Sequence, residues 1–203
     1  MITEILLAMV IGYLLGSIPF ALVIGKVFYK KDIRNYGSRN LGGGNAGRVL
    51  GKKAGVAVMT LDILKVTFTI WATSFFKYSD TVTVVAGLSA AIGHCYPVFA
   101  RFKGGKAVAT MYGFLFGMAV VGSYDLRIFL IPLAVFLIVL YIGKIISLAS
   151  MCSAAFITIY IGITTEDRVM FGALCVFTIL MIYRHRNNIV KMIRGQENKI
   201  SWM

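Results

Sequence analysis

Charged side chains are sparse along this chain, and their positions divide it. Seven stretches are nearly or wholly free of charge: residues 5–25, 54–76, 78–100, 107–124, 128–143, 145–165 and 169–183. Only Asp62 and Lys65 interrupt the second, and Asp80 the third. A charge at the bilayer centre costs at least about 2.5–3.5 kcal/mol, and a membrane-crossing helix needs about 20 apolar residues. The pattern therefore predicts an all-α polytopic membrane protein with seven transmembrane helices in a single domain, residues 1–203. The fifth and seventh stretches are short, but flanking Lys and Arg can snorkel and extend them; a six-span arrangement lacking one of them is the alternative. Composition agrees: 59% of the 203 residues are hydrophobic and 14% charged, with mean hydropathy +0.83. Soluble domains carry roughly 25% charged residues, so a soluble enzyme and a disordered chain are both excluded.

Charge also sets the expected orientation. Alternate loops and the C-terminal tail hold 17 Lys and Arg, against Lys77, Arg127 and Arg168 on the other side. Basic loops stay inside, so the loop at 26–53 and the tail are expected in the cytoplasm and Met1 outside. The first 25 residues lack a basic leading segment and an Ala-x-Ala-like cleavage site, which predicts a retained span. Cys95, Cys152 and Cys175 lie in apolar runs without a CxxC pair, which argues against a disulfide framework or a zinc site.

Two cytoplasmic loops have more than linker chemistry. The first reads Gly37-Ser38-Arg39-Asn40-Leu41-Gly42-Gly43-Gly44-Asn45-Ala46-Gly47-Arg48. Backbone amides of such a run can converge on an anion. Ser38, Asn40 and Asn45 would add neutral donors and Arg48 a bidentate phosphate clamp. The same residues also suit an ordinary flexible turn. The second loop contains Phe102-Lys103-Gly104-Gly105-Lys106, where the third stretch ends and the fourth begins. A helix starting near Lys106 would aim its N-terminal dipole at the same anion. It is not a Walker A loop, because no Gly lies five residues before Gly105 and Ala107 replaces Ser or Thr.

The two histidines, His94 and His185, sit at the cytoplasmic ends of the third and seventh stretches. Neither is followed by Asp in an H-x-x-x-x-D arrangement, since Phe99 and Val190 hold those positions. Asp62 and Lys65, one helical turn apart, are expected to form a buried structural pair. Ser147 and Ser150 open the sixth stretch, where small residues permit close packing. The tail at 187–199 mixes apolar and basic residues as an interfacial helix does. Asp32 and Glu197 are too few and too separated to cage a metal, so no metal or cofactor is expected, and no nucleic acid.

With these motifs in place, the chain resembles the bacterial acyl-phosphate-dependent glycerol-3-phosphate acyltransferases of the PlsY family. The resemblance rests on Gly37-Ser38-x-Asn40-x-Gly42 with Asn45-x-x-Arg48, on Gly93-His94-x-x-Pro97-Val98 through Lys106 to Thr110, and on Ser147-Leu148-Ala149-Ser150 with Arg184-His185-x-x-Asn188-Ile189 and Gly195-x-Glu197. Departures lie at Arg39 and Ala107, where relatives usually carry Gly, near Leu41, where Pro is common, and at Gly43-Gly44, where they carry Ala-Thr. The resemblance implies acyl transfer from acyl-phosphate to the 1-hydroxyl of glycerol 3-phosphate in the bacterial inner (cytoplasmic) membrane, with the site facing the cytoplasm. It would yield lysophosphatidic acid and phosphate. The partners are then glycerol 3-phosphate, acyl-phosphate and the lipid bilayer. Candidate catalytic residues are Ser38, His185 and Asn188. Candidate substrate-binding residues are Asn40, Gly43, Gly44, Asn45, Arg48, Lys103, Gly104, Gly105, Lys106 and Ser147. A mixed anhydride is already activated, so positioning and electrostatic stabilisation can suffice without an acyl-enzyme. A substrate phosphate is favoured over His185 as proton acceptor, because Arg184 and Arg186 flank that histidine and weaken it as a base. The competing reading is a transporter or binding protein for an organic phosphate, which would show an internal repeat and a mid-depth polar site.

Overall fold

The computed structural model describes residues 2–122 and 124–200. Ten α-helices follow one another: α1 (Ile2–Gly16), α2 (Phe20–Tyr29), α3 (Gly43–Leu50), α4 (Lys52–Phe75), α5 (Asp80–Cys95), α6 (Val108–Val120), α7 (Arg127–Gly143), α8 (Ile146–Thr164), α9 (Arg168–Arg184) and α10 (Arg186–Ile193). Each charge-free stretch contains a helix, as the pattern predicts. Four are long and apolar enough to cross a membrane: Ile2–Tyr29 taken through its break, Lys52–Phe75, Asp80–Ala100 and Ile146–Thr164. A fifth is gained if α9 and α10, bent by 57°, count as one span. The shorter apolar helices are α6 and α7, with 13 and 17 residues. At 1.5 Å per residue α6 is only about 20 Å long, because Ala107 caps it late and the chain leaves the helix at Val121.

The first span breaks at Ser17-Ile18-Pro19. Pro19 has no amide hydrogen to donate, so the hydrogen bonding of α1 stops before it. Leu22 N–H donates to Pro19 O at 2.8 Å, starting α2 afresh and leaving the Ile18 carbonyl outside the regular ladder. Small residues let α1 lie directly on α5: a Cβ on Gly12 or Gly16 would meet the carbonyl oxygen of Ala86 or Ala90 at 2.4 or 1.9 Å. Such close backbone approach is the usual packing mode in lipid, where dispersion and not hydrophobic exclusion drives association. At the centre, Phe114 of α6 stacks on Phe177 of α9 at 5.0 Å, among Met111, Leu115, Met118, Met170 and Leu174. Buried hydroxyls close the remaining seams. Tyr112 and Ser153 both donate to the carbonyl of Pro132 inside α7. Thr158 and Thr178 bond each other across α8 and α9 at 2.8 Å. Outward-facing Leu6, Val10, Ile138, Ile163 and Ile179 leave a greasy perimeter.

One element differs from the sequence expectation. The glycine run at 42–47 is not wholly a loop, because Gly43–Leu50 is helical. Glycine is a poor helix former, but here α3 packs on α4 through its smallest residues. A Cβ on Gly55 would meet Gly47 Cα at 2.7 Å, and one on Gly43 would meet Gly55 O at 2.8 Å.

Candidate active site

Loop one is organised by the buried amide of Asn45. Its oxygen accepts the Ser38 N–H at 2.8 Å, and its nitrogen donates to Ile33 O and Tyr36 O at 3.3 and 3.2 Å. Asn45 thus holds the loop's own backbone, and the donor expected for substrate is spent there. The Ser38 hydroxyl, freed to point outward, accepts from Arg48 Nη2 at 3.2 Å. Arg48 stands one turn after Gly44 on α3, so the two share a helix face. A Cβ on Gly44 would meet nothing within 4 Å, so that face looks into open space. Gly43, in contrast, is turned into the α3–α4 contact.

Loop two folds back over the end of α5. Gly105 N–H donates to His94 O at 2.9 Å, so this amide is spent within the turn. The two glycine carbonyls face the other way. Arg184 Nε donates to Gly105 O and its Nη2 to Gly104 O, both at 2.9 Å, while the guanidinium lies 5.1 Å from the Tyr96 ring. Asn40 Nδ2 also donates to Gly104 O at 3.1 Å, tying loop one to loop two. Ala107 then takes a left-handed conformation, φ 62°, and Arg39 another, φ 59°. Both L residues hold a backbone that only Gly adopts freely, at a cost of about 1–2 kcal/mol each.

The third segment closes the ring. Lys106 Nζ donates to Asn188 Oδ1 at 2.6 Å, and Asn188 Nδ2 donates to Glu197 Oε1 at 2.6 Å. The buried Ser147 hydroxyl donates to the same Glu197 oxygen at 2.9 Å. Arg184 and Glu197 are organising residues that were absent from the candidate set. Both lay inside the third motif, but their roles depend on tertiary partners. Lys103 does not join this cluster; it lines a polar hollow with Asp32, Arg34, Asn35, Arg39 and Arg101.

Electrostatics divide the labour. Burial pushes the Lys106 ammonium down to about 8. Glu197 opposes that shift, while Arg48, Arg184 and Lys191 reinforce it. The site is therefore a partly desolvated cluster in which Lys106, Arg48, Arg184 and Lys191 outnumber the single Glu197 carboxylate. His185 is pulled down to about 4, chiefly by burial and then by Lys106, with Arg184 adding to the effect. Arg186, expected to contribute, instead folds over the Tyr183 ring at 4.5 Å. The His185 Nδ1 lies 2.9 Å from Met181 O. A carbonyl can only accept, so Nδ1 carries the proton; with its pKa held down at about 4, the ring is neutral above that value. Among the described residues no His, Asp or Glu side chain hydrogen-bonds Ser38, so its hydroxyl is set up as a donor to an oxygen and not as an activated nucleophile.

Comparison with known proteins identifies the family. A family model described as glycerol-3-phosphate acyltransferase matches residues 6–195. The glycerol-3-phosphate acyltransferase of Staphylococcus haemolyticus (strain JCSC1435) is 43% identical, with 98% of this chain and 99% of the relative covered. That of Bacillus subtilis (strain 168) is 42% identical over 98% and 99%. The crystal structure of PlsY, an integral membrane glycerol 3-phosphate acyltransferase, in its glycerol 3-phosphate form superposes with TM-score 0.88 at 35% identity, covering 97% of this chain and 96% of that one. Its lysophosphatidic acid form gives 0.84 at 34% identity, covering 97% and 95%. A greasy helical bundle, three loop segments knitted at one end and whole-length similarity converge: the chain belongs to the glycerol-3-phosphate acyltransferase family of multi-pass membrane proteins, whose work is a step of phospholipid biosynthesis.

Proposed function

We propose that the protein transfers a fatty acyl group from acyl-phosphate to the 1-hydroxyl of glycerol 3-phosphate, releasing lysophosphatidic acid and inorganic phosphate. The observation that carries this reading is the joining of three distant segments by Asn40–Gly104, Arg184–Gly104/Gly105 and Lys106–Asn188 hydrogen bonds into one cationic end of an apolar bundle. Two phosphate-bearing substrates need unneutralised cations, and an acyl donor needs a site that opens on lipid. Arg48 and Lys106 hold phosphate, and Ser38 positions a substrate oxygen. Asn188, polarised between Lys106 and Glu197, fixes the acceptor's orientation with Ser147. The glycerol oxygen attacks the acyl carbon, the carbon–oxygen bond to phosphate breaks, and the hydroxyl proton passes to a phosphate oxygen, whose second pKa is about 6. His185, neutral and buried, orients without accepting that proton.

In this reading the single domain, residues 1–203, crosses a bacterial inner membrane seven times, with Met1 outside and the site facing the cytoplasm. The purified protein in phospholipid vesicles, given glycerol 3-phosphate with acyl-phosphate or with acyl-CoA, tests the chemistry. Lysophosphatidic acid and phosphate formed in equal amounts from acyl-phosphate are expected. Transfer from acyl-CoA alone would overturn the donor assignment, and lysophosphatidic acid from neither donor would overturn the reaction.

A further inference from the structure

Beneath loop two lies a buried polar cluster that the proposed chemistry leaves unused. Lys65 Nζ on α4 stands 2.8 Å from Asp62 Oδ1, 3.1 Å from His94 Nδ1 and 3.0 Å from Ile18 O in the broken first span. All three side chains are less than 10% exposed. His94 Nδ1 faces both the Lys65 ammonium and, at 3.4 Å, Asp62 Oδ1, so this edge of the ring is held by the ion pair. The far edge of the ring is pressed against Gly105. A Cβ built there would lie 1.8 Å from His94 Nε2, and its next nearest contacts are also atoms of that ring. Gly105 is not in the left-handed region, so the exclusion of a side chain is steric alone. Gly104 lies equally close on the backbone, where a Cβ would meet His94 O at 2.0 Å.

We propose that His94 is a positioning residue for phosphate recognition: held by Lys65 and Asp62, its imidazole is the floor that sets the height of the Gly104–Gly105 turn. That turn in turn aims Lys106 at Asn188 and presents the two carbonyls that anchor Arg184 and Asn40. The ion pair neutralises itself within α4, so the cluster supplies stiffness and adds no net charge. An imidazole fits the task because one edge is held by the ion pair while the opposite edge, rigid and flat, meets a glycine. The consequence for turnover rests on the acyltransferase reading above; the packing relation does not.

The test is a pair of reciprocal substitutions. Gly105→Ala alone should raise the KM for glycerol 3-phosphate about 10- to 100-fold, as expected when binding groups shift by about an ångström. In the Gly105→Ala/His94→Ala double variant the new methyl enters the space the ring leaves, and KM should return to within about threefold of His94→Ala itself, a non-additive outcome. His94→Asn keeps a polar group near Lys65 but removes the far edge of the ring. It should raise KM about tenfold with kcat and the thermal midpoint nearly unchanged, separating positioning from folding. Amide hydrogen exchange over residues 102–107 gives a second readout, independent of substrate: faster in His94→Ala and His94→Asn, and slowed again in the double variant. A Gly105→Ala protein that folds only when combined with His94→Ala equally supports the coupling. Additive losses, or exchange unaltered in His94→Ala and His94→Asn, would overturn it. If wild-type protein forms no lysophosphatidic acid but exchange follows the expected pattern, the reaction assignment fails and the floor stands.

Discussion

The Lys106 ammonium donates to the Asn188 side-chain carbonyl at 2.6 Å across 82 residues of sequence, while the same amide's nitrogen donates to Glu197. An amide held between a cation and a carboxylate is polarised along one axis, since each charge strengthens the bond at the other end. No other side chain of this size both accepts and donates in this way. Aspartate would face Glu197 with a second negative charge.

The cationic clamp predicts a specific kinetic signature. Arg48→Ala and Lys106→Ala each remove charge-assisted contacts worth about 1.5–3 kcal/mol. Initial-rate measurements should show kcat/KM for glycerol 3-phosphate falling about 10- to 150-fold in each. Wild-type values in both variants would remove them from the site.

The pH profile should carry an alkaline limb from Lys106 and an acid limb at about 6 from the substrate phosphate that accepts the proton, with no limb from His185. Lys106 titrates at about 8, so phosphate affinity declines as pH rises through that value. Its pKa is depressed relative to the unfolded chain, so below about 8 its charge opposes folding. That penalty is relieved as pH rises from there toward 10.5. His185 behaves similarly at lower pH: its neutral form contributes stability fully above 6.5, and this is lost as pH falls toward about 4. Glu197→Gln retains an acceptor for Asn188 and Ser147 but removes the charge that holds Lys106 up, so the alkaline limb should move to lower pH. An unmoved limb would mean that Lys106 is not the titrating group.

Whether His185 orients or accepts protons is decided by two substitutions. His185→Asn keeps hydrogen-bonding capacity without a comparable base and should retain a measurable part of kcat in folded protein. His185→Ala, which removes the ring and its bond to the Met181 carbonyl at the α9–α10 bend, should do worse. Equal abolition in both, with glycerol 3-phosphate binding intact, would identify His185 as the base.

Left-handed Arg39 and Ala107 give a stability prediction. Arg39→Gly and Ala107→Gly relieve a positive φ in an L residue, and each should raise the thermal midpoint, by up to about 1–2 kcal/mol of added stability. A lowered midpoint in both would contradict the backbone assignment.

Orientation is accessible to single cysteines in otherwise cysteine-free protein. Lys31→Cys and Asn198→Cys should be shielded from an impermeant reagent applied outside intact cells, and Asp125→Cys should react. External labelling at position 198 would reject seven spans with a cytoplasmic tail.

How much of this was legible in the residues varies with the range of the interaction. The Asp62–Lys65 pair is visible in sequence because i,i+3 spacing places two charges on one helix face. Its third member, His94, belongs to another helix 29 residues on, and no local pattern announces it. The helix at Gly43–Leu50 was hidden for the opposite reason: propensity argues against it, and packing against Gly55 overrides propensity. Loop two was recognised as chemistry, but the direction of its amides was not, since the turn spends Gly105 N–H on α5.

The break at Ser17–Pro19 bears on how the chain can enter a bilayer at all. Lys65 reaches lipid on a helix that already carries Asp62, so its charge is cancelled before any tertiary contact exists. Its carbonyl acceptor, Ile18, belongs to a segment synthesised earlier, and its imidazole partner to one synthesised later. The ammonium thus draws its three partners from its own helix, from the break in the first span and from α5. An unbroken first helix would have spent the Ile18 carbonyl on its own ladder and left the ammonium without that partner.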